Sequence, residues 1–130
     1  MLRLFFVLAT MAVQPGEPGL EGNWRNPRGS VIISIAPCAE ALCGRVQWAS
    51  NEATSDARKG GTDPLIGVEL LRDFVPRGNG RWKGQVFLPD LNKISKAELR
   101  QLGPNEVKVT GCAVGRIICK SQVWTRAAAN

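Results

Sequence analysis

The sequence predicts an all-β protein, a small antiparallel barrel of seven to eight strands carrying two hairpin disulfides, and three observations carry that expectation. Short β-branched or alternating runs recur at regular spacing between Gly, Pro and Asn turn signals, the pattern of a sandwich or barrel. Four cysteines fall in two close pairs, Cys38 with Cys43 and Cys112 with Cys119. No stretch after the first residues reads as a helix. At 130 residues the chain is of single-domain length, long enough for one modest core that cross-links would help.

In chain order, residues 1–12 read as a signal peptide. Arg3 supplies a positive charge, Leu4 to Val13 is an apolar run, and Thr10-Met11-Ala12 offers small residues for cleavage. The run is well short of the ~20 residues a spanning helix needs, so no membrane span is expected. Pro15, Gly16, Pro18 and Gly19 make residues 13–21 a flexible junction, and residues 22–130 form the barrel domain.

Gly22-Asn23-Trp24 opens that domain, and Asn26-Pro27-Arg28-Gly29 is a turn. Val31 to Ile35 is β-branched and too short for a helix, hence a strand, which Pro37 should stop. Cys38 to Cys43 is a tight connection into a strand ending at Trp48, with Leu42, Gly44, Val46 and Trp48 on one face. Ala49 to Asp63 is polar and without period, so a loop is expected there. Leu65 to Leu71 reads as a strand ended by Arg72-Asp73 and the turn residues Pro76, Gly78 and Gly80.

Arg81 to Leu88 alternates, with Trp82, Gly84, Val86 and Leu88 on one side. Residues 94–102 carry conflicting signals. Ser95 and Glu98 form a capping-box pattern and Gly103 a helix stop, but the regular strand spacing on both sides favours a strand. Val107 to Val114 and Ile117 to Arg126 then make a closing hairpin, across which Cys112 faces Cys119. Four cysteines allow three pairings, and local pairing is expected because each pair spans a hairpin end. Zinc is the alternative use of these thiols, but the spacings are not Cys-x2-Cys and the chain has no histidine.

Taken together, Gly22-Asn23-Trp24, Cys38 to Gly44, Trp82-Lys83-Gly84 and Gly111-Cys112 through Cys119-Lys120-Ser121-Gln122-Val123-Trp124-Thr125-Arg126 resemble the DUF2147 family of bacterial exported proteins of unknown function. Relatives usually carry an aromatic-rich segment before the penultimate hairpin. Here it is replaced by Phe87-Leu88-Pro89-Asp90, and the chain has no tyrosine. A second resemblance is to lipocalin-like barrels, which cover a G-x-W tryptophan near the first strand with an arginine near the last. It implies Trp24 and Arg126 as a barrel-closing pair.

Without histidine, triads of the Ser-His-Asp type and most catalytic metal sites are excluded. Oxidised cysteines supply no thiolate nucleophile. Glu69, Asp73, Asp90 and Glu98 could be paired only by the fold, and Ser121 lacks the strand-turn-helix elbow of a hydrolase. The expectation is therefore a non-enzymatic module without cofactor or metal. Trp48, Trp82 and Trp124 either line a ligand cavity or fill the core.

The formal net charge is +6, but no run of basic residues exceeds two, so nucleic acid is not an expected partner. Attraction to anionic envelope polymers or lipid head groups remains, without specificity. The expected location is periplasmic or secreted, and the expected partner a small apolar ligand or an envelope protein. The alternatives are a secreted inhibitor of an envelope hydrolase or protease, presenting residues 49–63 as a protruding loop, and a small hydrolase.

Overall fold

A computed structural model describes residues 19–113 and 118–128. The expected signal peptide, and the tip of the closing hairpin, lie outside the described residues. Eight antiparallel strands follow one another in strict order around a closed barrel. They are β1 (Gly22–Arg25), β2 (Val31–Cys38), β3 (Ala41–Ala49), β4 (Glu69–Gly78), β5 (Arg81–Leu88), β6 (Lys93–Gly103), β7 (Glu106–Ala113) and β8 (Ile118–Arg126), with one helix, α1 (Asn51–Gly60), between β3 and β4. Up-and-down order lets every strand pair with its neighbour in sequence, and β8 closes onto β1 over two residue pairs, which joins the first and last edges of the sheet at that end.

The register sorts residues into an inner and an outer face. Ile35, Gly44 and Leu71 lie side by side across β2, β3 and β4, as do Trp82, Leu99 and Val109 across β5, β6 and β7. The inner rows fill the interior: Trp24, Phe74, Leu20, Ile33, Leu99 and Val107 are almost fully buried. Small inner residues make room for large ones. A Cβ on Gly84 would stand 2.8 Å from the Phe74 ring and 2.6 Å from the Arg72 carbonyl, so the absence of a side chain on β5 is what admits Phe74 from β4. These side chains pack the middle of the barrel, one of the two ways an eight-stranded interior is occupied.

Residues 94–102 are strand, inside β6. Pairing along both edges of β6 outweighs a capping signal on a segment too short to hold a helix alone. Both disulfides form locally, Cys38 with Cys43 and Cys112 with Cys119, and the second cross-links a directly opposed pair of β7 and β8.

The structure corrects four expectations. Residues 49–63 are not a loop but contain α1. Ser50 caps it by accepting from the Ala53 N–H at 3.0 Å, and Gly61 ends it at φ 106° with its N–H on the Ala57 and Arg58 carbonyls. The only residue α1 buries fully is Ala57, so no large-residue stripe announced it. Pro37 does not stop β2. It sits beyond Ile35, where β1 has already ended its pairing, and an unpartnered edge tolerates a missing N–H.

The strand expected at 65–71 is displaced to 69–78. Leu65 to Val68 is a turn, closed by Val68 N–H to the Leu65 carbonyl at 3.1 Å. Arg72 and Asp73, expected to end the strand, lie in a bulge where Asp73 takes φ 55°, and pairing resumes beyond it. Trp48, finally, does not share the face of Val46. A register shift opposite Ile32 and Ile33 inserts one residue in β3 and turns the indole outward, 46% exposed.

Candidate binding site at the wide end

The barrel has two unlike ends. At the narrow end, residues 19–21 cross below β1 and Leu20 plugs the interior. Trp24 donates its indole N–H to the Leu20 carbonyl at 2.8 Å. The Arg126 guanidinium lies over the Trp24 ring, 4.2 Å from its centroid. Its Nη1 and Nη2 donate to the Glu21 and Gly19 carbonyls at 2.8 and 3.0 Å, and its Nε to Pro104 at 2.9 Å. Gly22 belongs to the same cluster, because a Cβ there would stand 2.8 Å from Arg126 Nη1 and its φ is +126°. The sequence-predicted pair Trp24 and Arg126 is thus in contact, and the two residues are also directly paired in the β1–β8 ladder.

A solvent-open groove of about 420 Å³ runs beside this cluster, lined by Gly103, Pro104, Asn105, Glu106, Thr125 and Arg126. Arg126, the cation in its wall, directs three of its five N–H groups to backbone carbonyls, which leaves fewer donors for a ligand in this groove.

The wide end is built differently. α1 and residues 61–68 run across it from β3 to the β5–β6 turn. Ala57 and Leu65 join the core from above, and Thr62 donates its hydroxyl to the Pro89 carbonyl at 2.9 Å. Gly60 packs so closely on the Asp90 backbone that a Cβ there would overlap it. This roof is anchored to β3, β4 and the β5–β6 turn.

On the other side the wall is open. β1 is four residues long and meets β8 at only two positions, Trp24 with Arg126 and Arg25 with Thr125. The chain then leaves the ladder through a turn in which the Asn26 side-chain carbonyl accepts from Ser30 and Val31 N–H at 2.8 and 2.9 Å. β8 pairs with β7 along its whole length. Its residues 118–123 therefore extend past β1 with no strand on their other edge among the described residues.

The seam opens onto the upper interior. Val86, Ser95, Val109, Gly111, Lys120 and Gln122 occupy inner-face register positions there. A Cβ at Gly111 would sit in ordinary contact with Val86 Cγ1 at 3.5 Å, Ser95 Oγ at 3.8 Å and the Lys96 carbonyl oxygen at 3.9 Å, so one methyl is accommodated there. Gln122 accepts from the Trp124 indole N–H at 3.1 Å. Val86, Val109 and Trp124 give this opening apolar contacts and Ser95, Lys120 and Gln122 polar ones, the two kinds of group a small-ligand site combines.

Of the tryptophans singled out in the sequence, Trp124 is buried at the foot of this space, Trp82 packs half-buried against the core beside Leu99, and Trp48 is outside it. The seam itself was missed. Its signal was the mismatch between a four-residue first strand, cut short by Asn26-Pro27, and a nine-residue last strand.

The four candidate acids are spread over the outside and ends. Glu69 is held between Arg45 at 3.5 Å and Arg72 at 3.8 Å, Glu98 faces Arg81 at 3.8 Å, Asp73 sits in the β4 bulge and Asp90 in the β5–β6 turn. Exposed pairs of this kind contribute about 0 to 1 kcal/mol each. Among the described residues one group has metal-ligand proximity, Cys38, Cys43 and Glu69, with ligand atoms within 4.8 Å. Its sulfurs are bonded to each other, so it offers no thiolate.

Residues 22–126 match the model of a family described as an uncharacterized protein conserved in bacteria, DUF2147. The chain belongs to the DUF2147 family. Among solved structures it is similar to the Helicobacter pylori protein HP1028, described as belonging to the lipocalin family. The TM-score is 0.63 at 12% identity, over 84% of this chain and 83% of that one. At this identity the likeness is one of fold, a lipocalin-like barrel. No curated protein matches the sequence.

Proposed function

We propose that this DUF2147 chain is a non-enzymatic binding module of the bacterial cell envelope that takes a small, largely apolar ligand at the wide end of its barrel. The observation that carries the reading is the open seam beside β8, which gives access to the inner positions around Gly111. The packed middle of the barrel limits the ligand to the upper interior, so a single acyl chain or a compact ring system fits better than a large lipid. Ser95, Gln122 and Lys120 stand where a polar or anionic head group would emerge. Two disulfides and a bacterial family support an extracytoplasmic location, where such bonds persist. The inhibitor alternative loses its motivation, because the segment that was to protrude is α1, packed on the barrel.

The test is a titration of intrinsic tryptophan fluorescence with medium-chain fatty acids and lysophospholipids. A saturable change, abolished in Gly111→Leu and retained in Gly111→Ala, supports the site, since an alanine Cβ makes only ordinary contacts with Val86, Ser95 and the Lys96 carbonyl, while a leucine would project beyond them into the opening. A Gly111→Leu protein that still binds places the ligand elsewhere, and no response from any ligand of these classes overturns the small-ligand reading.

A further inference from the structure

The β5–β6 turn is an unusual surface. Turn tips facing water are ordinarily polar, yet Leu88, Leu91 and Ile94 project from this one, with Leu91 61% and Ile94 50% exposed. They are held in place rather than loose. The turn is closed by Leu91 N–H to the Leu88 carbonyl at 3.1 Å, Thr62 ties down Pro89, Gly60 packs on Asp90, and Asn92 takes φ 53°. Apolar side chains fixed on a rigid tip lose little conformational freedom on docking.

The surrounding charge says what they dock to. Lys93 opens β6 directly opposite Leu88, and Lys96 lies one strand-repeat beyond Ile94. Lys59 is the last residue but one of α1, and Lys120 stands on β8 level with Ala97, one register position from Lys96 and on the inner face. All four are exposed. Two acids lie close by, Asp90 in the turn and Asp63, which faces Arg58 at 3.5 Å. An aliphatic tip ringed by lysines is complementary to a surface with an apolar interior under anionic head groups.

We infer that the wide end of the barrel docks on an anionic phospholipid bilayer, with Leu88, Leu91 and Ile94 inserted into the interface and Lys59, Lys93, Lys96 and Lys120 against the head groups. The inference does not depend on ligand binding in the upper interior, although it would place that opening at the membrane surface.

The experiment uses the full chain with vesicles of phosphatidylcholine and phosphatidylglycerol in equal parts, beside vesicles of phosphatidylcholine alone. Sedimentation is read for wild type and for Leu91→Asp/Ile94→Asp, both positions being exposed and outside the core. A second variant, Lys93→Glu/Lys96→Glu, leaves the tip apolar. Binding to the anionic vesicles that falls about tenfold or more in each variant, and weakens with added salt, is the expected result. Because residues 2–13, Arg3 and Thr10 apart, are apolar as well, insertion of the tip itself is read from Leu91→Trp, whose emission should shift to the blue and be quenched by brominated acyl chains.

Equal binding by wild type and Leu91→Asp/Ile94→Asp overturns the inference. So does an unquenched Leu91→Trp in a chain that binds, which would assign binding to residues 2–13. A concentration-dependent dimer in light scattering that Leu91→Asp/Ile94→Asp dissolves would make the tip an interface between copies and also overturn it. Gly111→Leu, which tests the ligand site, should leave vesicle binding unchanged, so the two readings fail separately.

Discussion

Replacing Arg126 with alanine should open the narrow end of the barrel. The guanidinium stacks on Trp24 at 4.2 Å and donates to three backbone carbonyls at 2.8 to 3.0 Å. Stacking of a cation on an indole contributes about 0.5 to 2 kcal/mol, and the lower half of that range applies to a side chain that is not fully buried. Each of the three hydrogen bonds, made near solvent, adds about 0.5 kcal/mol, since water replaces a lost partner at exposed carbonyls. The sum is about 2 to 3 kcal/mol, which for a domain of this size lowers the melting temperature by roughly 10 °C.

Lysine at the same position tests whether geometry or charge matters. One ammonium cannot cover the ring and reach Gly19, Glu21 and Pro104 together, so Arg126→Lys should recover less than half of the loss. The assay is urea denaturation with both disulfides intact, followed by tryptophan emission. Amide exchange at Trp24 and Arg25 reports separately on the two-residue β1–β8 ladder. An alanine variant that loses less than ~0.5 kcal/mol, or a lysine variant as stable as wild type, would refute the closure argument.

Gly22→Ala should act on the same cluster, because the new Cβ meets Arg126 Nη1 and the φ of +126° strains any side chain, for a loss of about 1 to 3 kcal/mol in the same denaturation assay. Phe74→Ala empties the largest space in the middle of the barrel and should cost about 3 to 5 kcal/mol by calorimetry, with a dye-binding cavity as the accompanying sign. Ser50→Ala removes the α1 cap and should cost about 1 kcal/mol, with faster amide exchange confined to residues 51–60. Reduction of the two short-range disulfides, whose sequence separations are 5 and 7, should lower stability by about 2 kcal/mol each and leave the barrel's far-ultraviolet circular dichroism in place.

The strand count, the alternation of β5 and β7, the local cysteine pairs and the G-x-W to arginine contact were all legible in the chain. The first three depend on residues near in sequence or on a pattern that only one face of a sheet can satisfy, and the fourth came from the resemblance to lipocalin-like barrels. α1 was not legible, because it buries Ala57 alone against a roof whose other parts, Leu65, Thr62 and the Asp90 backbone, come from elsewhere. Nor was the outward turn of Trp48, since one inserted residue reverses the face of everything after it and leaves no mark on composition.

Composition and periodicity thus determined that the chain is mostly β and has no histidine, and made local cysteine pairing the expectation that the structure then met. What the barrel leaves open depended on two strand lengths meeting in space. β8 runs past the short β1, and the seam above Trp24 exists only because the ladder between the first and last strands stops after two residues.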